Sequence, residues 1–399
     1  MESLPSAHST GGDCPPTHRA RNGGDEETDV LGTGRCARIR RMKGGNHMFL
    51  VKLAIKLIEL RRDFRRIWKH QFKIDLGIET PMSFADRWKY YRLGFTAEDY
   101  YCFQLQENDY RDYISFRERW RLEDINGRFS YILGEKLLFE RLFGQYIRVP
   151  HVNCWIKNQS SIDLEVGKPI DILPILEQKG KLIAKPTRSW GGGAGLHSLA
   201  FDGQQYSIDG KPCSADQIQA SVRSWEDAII VDYAVQSEYA RRIFPETTNT
   251  IRVITGMHKD GQIEVLIAYH RFGSNRSKPV DNISSGGFVC MVDLETGALK
   301  PAKTILDPTR FYAIHPETNE TIEGVVIPEW ETITSRLIQV HRCFPCYTFL
   351  AWDAVVADSG EFYILEVNRG ADLEMQMLQP LRHEKLGLFM KEYGLLDKG

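Results

Sequence analysis

The feature that most constrains this chain is one stretch near its C-terminal end. It runs from Tyr347 to Asn368 and reads Y-T-F-L-A-W-D-A-V-V-A-D-S-G-E-F-Y-I-L-E-V-N. Two β-prone runs flank Asp358-Ser359-Gly360-Glu361, and Ser-Gly is a strong turn signal. A two-residue loop at Ser359-Gly360 sets Asp358 against Glu361, Val356 against Tyr363, Asp353 against Glu366 and Ala351 against Asn368. Side chains alternate with period two, so Asn368 shares the face of Glu366. Facing carboxylates repel, and these two stand among Trp352, Val355, Ile364 and Val367. Repulsion of that kind predicts that Asp353→Asn or Glu366→Gln leaves the fold intact or slightly stabilised. A hard divalent cation would reverse the penalty, because Mg²⁺ takes one or two carboxylates together with phosphate oxygens. The bland alternative is a solvated polar face at a sheet end, since a one-residue slip separates the pair.

Length and charge limit the rest. The 399 residues, 42% of them hydrophobic, provide for two or three domains with a sizeable core. A net charge of −2 gives no electrostatic case for nucleic acid. Eight scattered cysteines lack framework spacing, which suits a reducing, cytoplasmic setting. Cys343-Phe344-Pro345-Cys346 lacks the second pair that zinc needs and runs into a strand, so both thiols are expected in the core.

Residues 1–47 are polar and glycine-rich and read as disordered. From Met48 a basic amphipathic pattern sets in, with Leu50, Leu53, Leu57, Leu60 and Phe64 on one face. Lys52, Lys56, Arg61, Arg62, Arg65 and Arg66 form the other. Over residues 48–69 such a helix either packs on the domain behind it or lies on an anionic membrane surface, peripheral at its inner face. It opens a helical region over 48–128, with runs near Phe84–Leu93 and Ile114–Glu123, that offers no recognisable chemistry.

After residue 128 the pattern changes. Leu133–Phe143 reads as one amphipathic helix carrying Lys136. Lys181–Pro186 reads as a strand carrying Lys185, and it enters a loop, Ser189-Trp190-Gly191-Gly192-Gly193-Ala194-Gly195. Glycines let backbone N–H groups close on phosphate oxygens, and a preceding lysine adds charge. The loop is neither a Walker motif nor a Rossmann turn, and a mobile surface hairpin is as common a reading. Strands are expected at Ala228–Val235, Asn249–Thr255 and Gln262–His270, covered by helices at Glu329–His341 and Leu381–Glu392.

The order is helix lysine, strand lysine, glycine loop, buried strand, arginine strand and carboxylate hairpin. In that order the chain resembles the ATP-grasp superfamily, and over residues 129–385 its sugar-transfer-associated family, related to α-L-glutamate-ligase-like proteins. The resemblance is carried by E-K-L-L-F-E-R-L at 135–142, K-P with G-G-G-A-G at 185–195 and N-T-I-R-V-I-T at 249–255. D-N-I-S-S-G-G at 281–287 and A-W-D with E-V-N-R-G at 351–370 complete it. It implies an α+β ATP-grasp fold, two subdomains with antiparallel sheets gripping ATP, at 129–225 and 226–399, behind the small helical region. Lys136 and Lys185 would then reach the phosphates beneath the loop of Ser189, Gly191, Gly192 and Gly193. Asp232, Tyr233 and Val235 would belong to an adenine hinge, and Glu238 is the nearest carboxylate for the ribose. Asp353, Glu366 and Asn368 would hold Mg²⁺, Arg252 would stabilise the transferring phosphoryl group, and Arg271 and Asn282 would serve the acceptor side or order a loop.

The chemistry implied is carboxylate activation, with an acyl-phosphate attacked by an amine or other nucleophile on small-molecule or glycan-linked substrates. Positioning and charge neutralisation suffice for it, so no nucleophilic side chain is required. Phosphotransfer to a hydroxyl or histidine, and a non-catalytic nucleotide-binding scaffold, are the alternatives. Both lysines and all three metal-side residues are present, which weighs against the scaffold.

Overall fold

A computed structural model describes residues 82–188 and 195–397, all within one compact unit. The segment 1–47, the basic helix at 48–69 and the loop residues Ser189, Trp190, Gly191, Gly192 and Gly193 lie outside the described residues.

The protein is α+β, built on two seven-stranded antiparallel sheets. The first contains β1 (Val152–Lys157), β2 (Ser160–Ile162), β3 (Lys181–Pro186), β4 (His197–Phe201), β5 (Tyr206–Ile208), β6 (Lys211–Cys213) and β7 (Ala228–Asp232). Its order is β2-β1-β7-β3-β4-β5-β6, so the buried strand at 228–232 runs down the middle of this sheet. The chain passes to the second sheet only after that strand. There β8 (Ile251–Met257), β9 (Ile263–Phe272), β10 (Phe288–Met291), β11 (Ala302–Thr304), β12 (Asp307–Tyr312), β13 (Phe349–Val356) and β14 (Phe362–Asn368) lie in the order β12-β11-β10-β9-β8-β13-β14.

The two sheets are covered unequally. In the second, β13 is buried at every position and β8 at all but its last, which requires a layer on each face. One face carries Ile251, Val253, Trp352 and Ile364 under a helix at Trp330–Arg342. The other carries Ile254, Ile267, Phe349 and Ala351 under the helical region, through Tyr90, Phe103 and Leu122, and under Phe389 of a helix at Lys385–Glu392. The helical region is therefore part of this half's core. Asn126 fixes the contact, accepting from the amides of Thr348 (2.8 Å) and Phe349 (3.0 Å) and donating to the Phe349 carbonyl (2.7 Å). In the first sheet β3 alternates between buried and half-buried residues, as a strand covered on one face does.

Three expectations need correction. Lys136 opens its helix, Lys136–Phe143, because a short helix at Ser130–Leu133 ends at Gly134 and Glu135 is extended. Cys343 and Cys346 are exposed, since the helix ends at Arg342 and its exit turn points both thiols outward. The hairpin turn has three residues: the Ala357 amide donates to the Glu361 carbonyl at 2.7 Å, with Gly360 at φ 75°. That turn pairs Val356 with Phe362, one residue away from the expected register. A bulge between Asp353 and Ala354 takes up Leu365 and restores the register, so Asp353 faces Glu366 and Ala351 faces Asn368 as expected.

Candidate active site

Register builds a row across four strands. Glu366 on β14 faces Asp353 on β13, Asp353 faces Arg252 on β8, and Arg252 faces Tyr269 on β9. Two residues further along their strands, Asn368 and Arg271 join the same face. It is the face that the helical region covers. Asp353 is 3% exposed and accepts from one edge of Arg252, at Nε and at Nη2 (2.8 Å), and from Arg271 Nη2 (3.0 Å). The expected repulsion between Asp353 and Glu366 is thus overruled. Asp353 is neutralised from the neighbouring strands, and Asn368 Nδ2 bridges the two carboxylates at 3.2 and 3.1 Å.

The first half supplies the other cations. Lys136 Nζ stands 3.6 Å from Glu366 Oε2, and Lys185 Nζ donates to the carbonyl of Leu365, the residue freed by the bulge, at 3.3 Å. Burial pulls the Lys185 ammonium down to about 8; Glu366 opposes that shift and Lys136 adds to it. Burial by itself would raise the Glu366 carboxyl. Lys136 and Lys185, then the Asn368 amide and Arg252, outweigh it and hold the group at about 2. Burial likewise works against charge on Arg252 and Arg271, and Asp353 keeps both firmly protonated.

The remaining expected residues divide into two groups. Asp232 ends β7 and accepts from Asn153 Nδ2 (2.8 Å) and Lys179 Nζ (2.5 Å), while Lys181 Nζ lies 4.0 Å from the ring centre of Tyr233. Among the described residues the amides of Tyr233, Ala234 and Val235 donate to no backbone carbonyl, and Val235 is half-exposed. The amide of Asp232 before them and that of Ser237, two residues after Val235, are bound at 3.0 and 2.7 Å. Glu238 is exposed, and its amide donates to Asp358 Oδ1 of the hairpin turn. Asn282 stands apart from the row, its Nδ2 donating to Ser284 Oγ at 2.8 Å.

Sequence reasoning missed three residues. Tyr269 stands two residues before Arg271, a period-two signal that was available. Asp372, four residues beyond Asn368, accepts from Arg252 Nη1 (3.2 Å) and Tyr269 Oη (3.3 Å), with Arg271 Nη1 at 3.8 Å. Arg119 comes from the helical region and pairs with Glu123 and Glu374 at 3.2 and 3.6 Å. No pattern in its own segment marks it.

Donor chemistry decides how a magnesium ion would fit. Among the described residues no group of three His, Cys, Asp or Glu side chains is gathered as for a metal. Glu366 and Asn368 nevertheless supply hard oxygens beside Lys136 and Lys185, a donor set that would suit an ion completing its shell with ligand oxygens and water. Asp353 has both oxygens on guanidiniums and would reach a cation only by exchanging one of them.

Residues 115–385 match the family described as sugar-transfer associated ATP-grasp. The chain belongs to that family. Its two antiparallel halves are accordingly the two halves of an ATP-grasp fold. No curated protein matches the chain. Solved structures with some likeness include an N5-carboxyaminoimidazole ribonucleotide synthetase with ADP, at 12% identity and a TM-score of 0.37, covering 64% of this chain and 52% of that one. An L-amino acid ligase from Bacillus licheniformis has 10% identity and a TM-score of 0.37, covering 66% and 48%. The VanG D-Ala:D-Ser ligase from Enterococcus faecalis has 14% and 0.39, covering 67% and 63%. This ATP-grasp chain spans between about half and under two thirds of their lengths, and likeness this loose says nothing of its reaction. Among the described residues no helix is long and apolar enough to cross a membrane.

Proposed function

We propose that this protein is an ATP-dependent ligase that activates a carboxylate as an acyl-phosphate and joins it to an amine or other nucleophile. Its setting would be polysaccharide or other glycan-associated biosynthesis in the cytoplasm. The observation that supports this most is the meeting of Lys136 and Lys185, from the first half, with Glu366 and the Leu365 carbonyl of the second. Lysines from one half and a fixed row of charge from the other suit a triphosphate held between them.

In this reading the open amides of Tyr233–Val235 take the adenine edge, and Glu238 is the carboxylate nearest the ribose. Lys136 and Lys185 neutralise the phosphates. Arg252 and Arg271, rigidly held by Asp353, stabilise charge on the transferring phosphoryl group and the acyl-phosphate without rearranging as it develops. Glu366 and Asn368 would hold magnesium, which when bound neutralises phosphate charge. The helical region, covering this face of the sheet, excludes water from the acceptor end.

The test is ADP release from ATP and Mg²⁺ with pooled sugar acids and amino acids, using hydroxylamine as the trapping nucleophile. Carboxylate-dependent ADP with hydroxamate formation is the expected result. ADP formed with a hydroxyl acceptor and no carboxylate would instead indicate a phosphotransferase, and ATP binding without turnover a scaffold. The basic helix expected over 48–69 would add contact with anionic lipid. Cosedimentation with acidic vesicles at low salt, released in high salt, tests that contact.

A further inference from the structure

Arg252 and Arg271 each present two edges. The inner edge of Arg252 is fixed on Asp353, whose side chain is 5% exposed, and that of Arg271 on Thr250 Oγ1 and Asp353. The outer edges, Nη1 of both, turn towards a single oxygen, Oδ2 of Asp372, which also accepts from Tyr269 Oη. Asp372 lies beyond the end of β14, its side chain is 40% exposed, and all three of these contacts fall on one of its two oxygens. Two guanidiniums and a buried tyrosine hydroxyl converging on one carboxylate oxygen form a carboxylate-binding site, and here the carboxylate belongs to the protein itself.

We propose that Arg252, Arg271 and Tyr269 form the subsite for the acceptor substrate's carboxylate, and that Asp372 occupies it as an internal stand-in until the substrate displaces it. The inference rests on the ligase reading and adds to it how the acceptor enters. Charge favours exchange over addition. Two arginines already face Asp353 and Asp372, and Asp281 stands 3.7 Å from Arg271 Nε. These three carboxylates already outnumber the two arginines, so a fourth would add uncompensated charge, whereas exchange for Asp372 leaves the count unchanged. Of the two aspartates only Asp372 can leave cheaply, because it is anchored at one oxygen and already meets water. A cation is at hand for it as well. Arg119 of the helical region, 3.6 Å from Glu374 two residues further along, adds to the positive charge that Arg252 and Arg271 bring to Asp372. Gly370 fits the same segment closely to that helix, since a Cβ there would sit 2.8 Å from Glu123 Cγ. The internal competitor lowers the apparent affinity for every carboxylate, so ligands without further contacts are turned away.

The experiment titrates sodium acetate into the full-length protein, Asp372→Asn and Asp372→Ala, following ¹³C-acetate by NMR. Removing the competitor should tighten acetate binding about tenfold, and adding Tyr269→Phe to Asp372→Asn should take back part of that gain. Unchanged or weaker binding in both Asp372 variants overturns the proposal, as does a gain that Tyr269→Phe leaves untouched. Should the neutral variants lose their fold, a structure of the unaltered protein with acetate decides the matter. An acetate oxygen must then replace Asp372 Oδ2, and acetate elsewhere with Asp372 in place refutes the exchange. ATP binding is measured in parallel by tryptophan fluorescence; its loss would sink the ligase reading while the acetate result still stands.

Discussion

The two sheets have the same number of strands and the same antiparallel pairing, yet they hold their charges in opposite ways. The second is packed on both faces, and its ionic row is locked by partners from adjacent strands. The first has one well-covered face; Lys185 stands on its strand β3, Lys136 opens a neighbouring helix, and both lie against Glu366 and Leu365 of the second sheet. The difference teaches which charges are structural as well as chemical. Asp353, Arg252 and Arg271 are buried and mutually compensated, so they are preorganised and hard to remove. Lys136 and Lys185 repel each other and share one carboxylate, Glu366.

The sharpest way to break this comparison is to remove one charge from each half. Asp353→Asn should destabilise the protein by about 3–5 kcal/mol, because two buried guanidiniums lose their common partner. Urea unfolding at pH 7 reads it, and a fold of unchanged stability would restore the picture of two repelling carboxylates. A second measurement needs no mutation. Amide exchange in β13 should reach the global unfolding free energy, while β3 should open about 2 kcal/mol sooner; equal protection would mean that the unequal covering has no energetic weight.

Glu366 gives a pH window. Its folded carboxyl lies at about 2, below its ordinary value of 4.5, so its contribution is complete above 4.5 and is lost as pH falls towards 2. With the side chain one-third exposed that contribution is about 1–2 kcal/mol. Glu366→Gln should flatten this part of the stability curve, and identical curves would count against the lysine contacts. The smallest effect on folding belongs to the first half. Lys185→Met should change stability by less than about 1 kcal/mol, since an apolar chain replaces a poorly compensated buried cation. ATP affinity should nonetheless fall as pH rises through about 8 in the unaltered protein and lose that dependence in Lys185→Met. A pH-independent affinity in both would remove Lys185 from the phosphate site.

How much of this was legible in the sequence varies with how local its cause is. The pairing of Asp353 with Glu366 could be counted from the turn, because both residues lie on one hairpin and alternation has no freedom. The three-residue turn and the bulge could not, since they depend on backbone conformations at Gly360 and Leu365 that several registers tolerate. Arg252 was legible as a charge on a buried strand, but its partner sits 101 residues away, and only the sheet order brings them together. The role of the helical region was wholly hidden. Asn126 and Arg119 look like surface residues until the strand start and the Asp372 segment that they meet are in place.

The bulge at Leu365 has a further consequence, for how such a hairpin tolerates change. Turn and bulge each shift the register by one residue, in opposite senses, so the distal half of the hairpin is uncoupled from the half that carries Asp353 and Glu366. A one-residue deletion in the turn need not move the pair of Asp353 and Glu366 if the bulge is ironed out at the same time. The hairpin therefore works as a slip joint: its tip can change length while its base keeps one alignment, and the tip is held separately, through Asp358 on the Glu238 amide and Glu361 on Arg148.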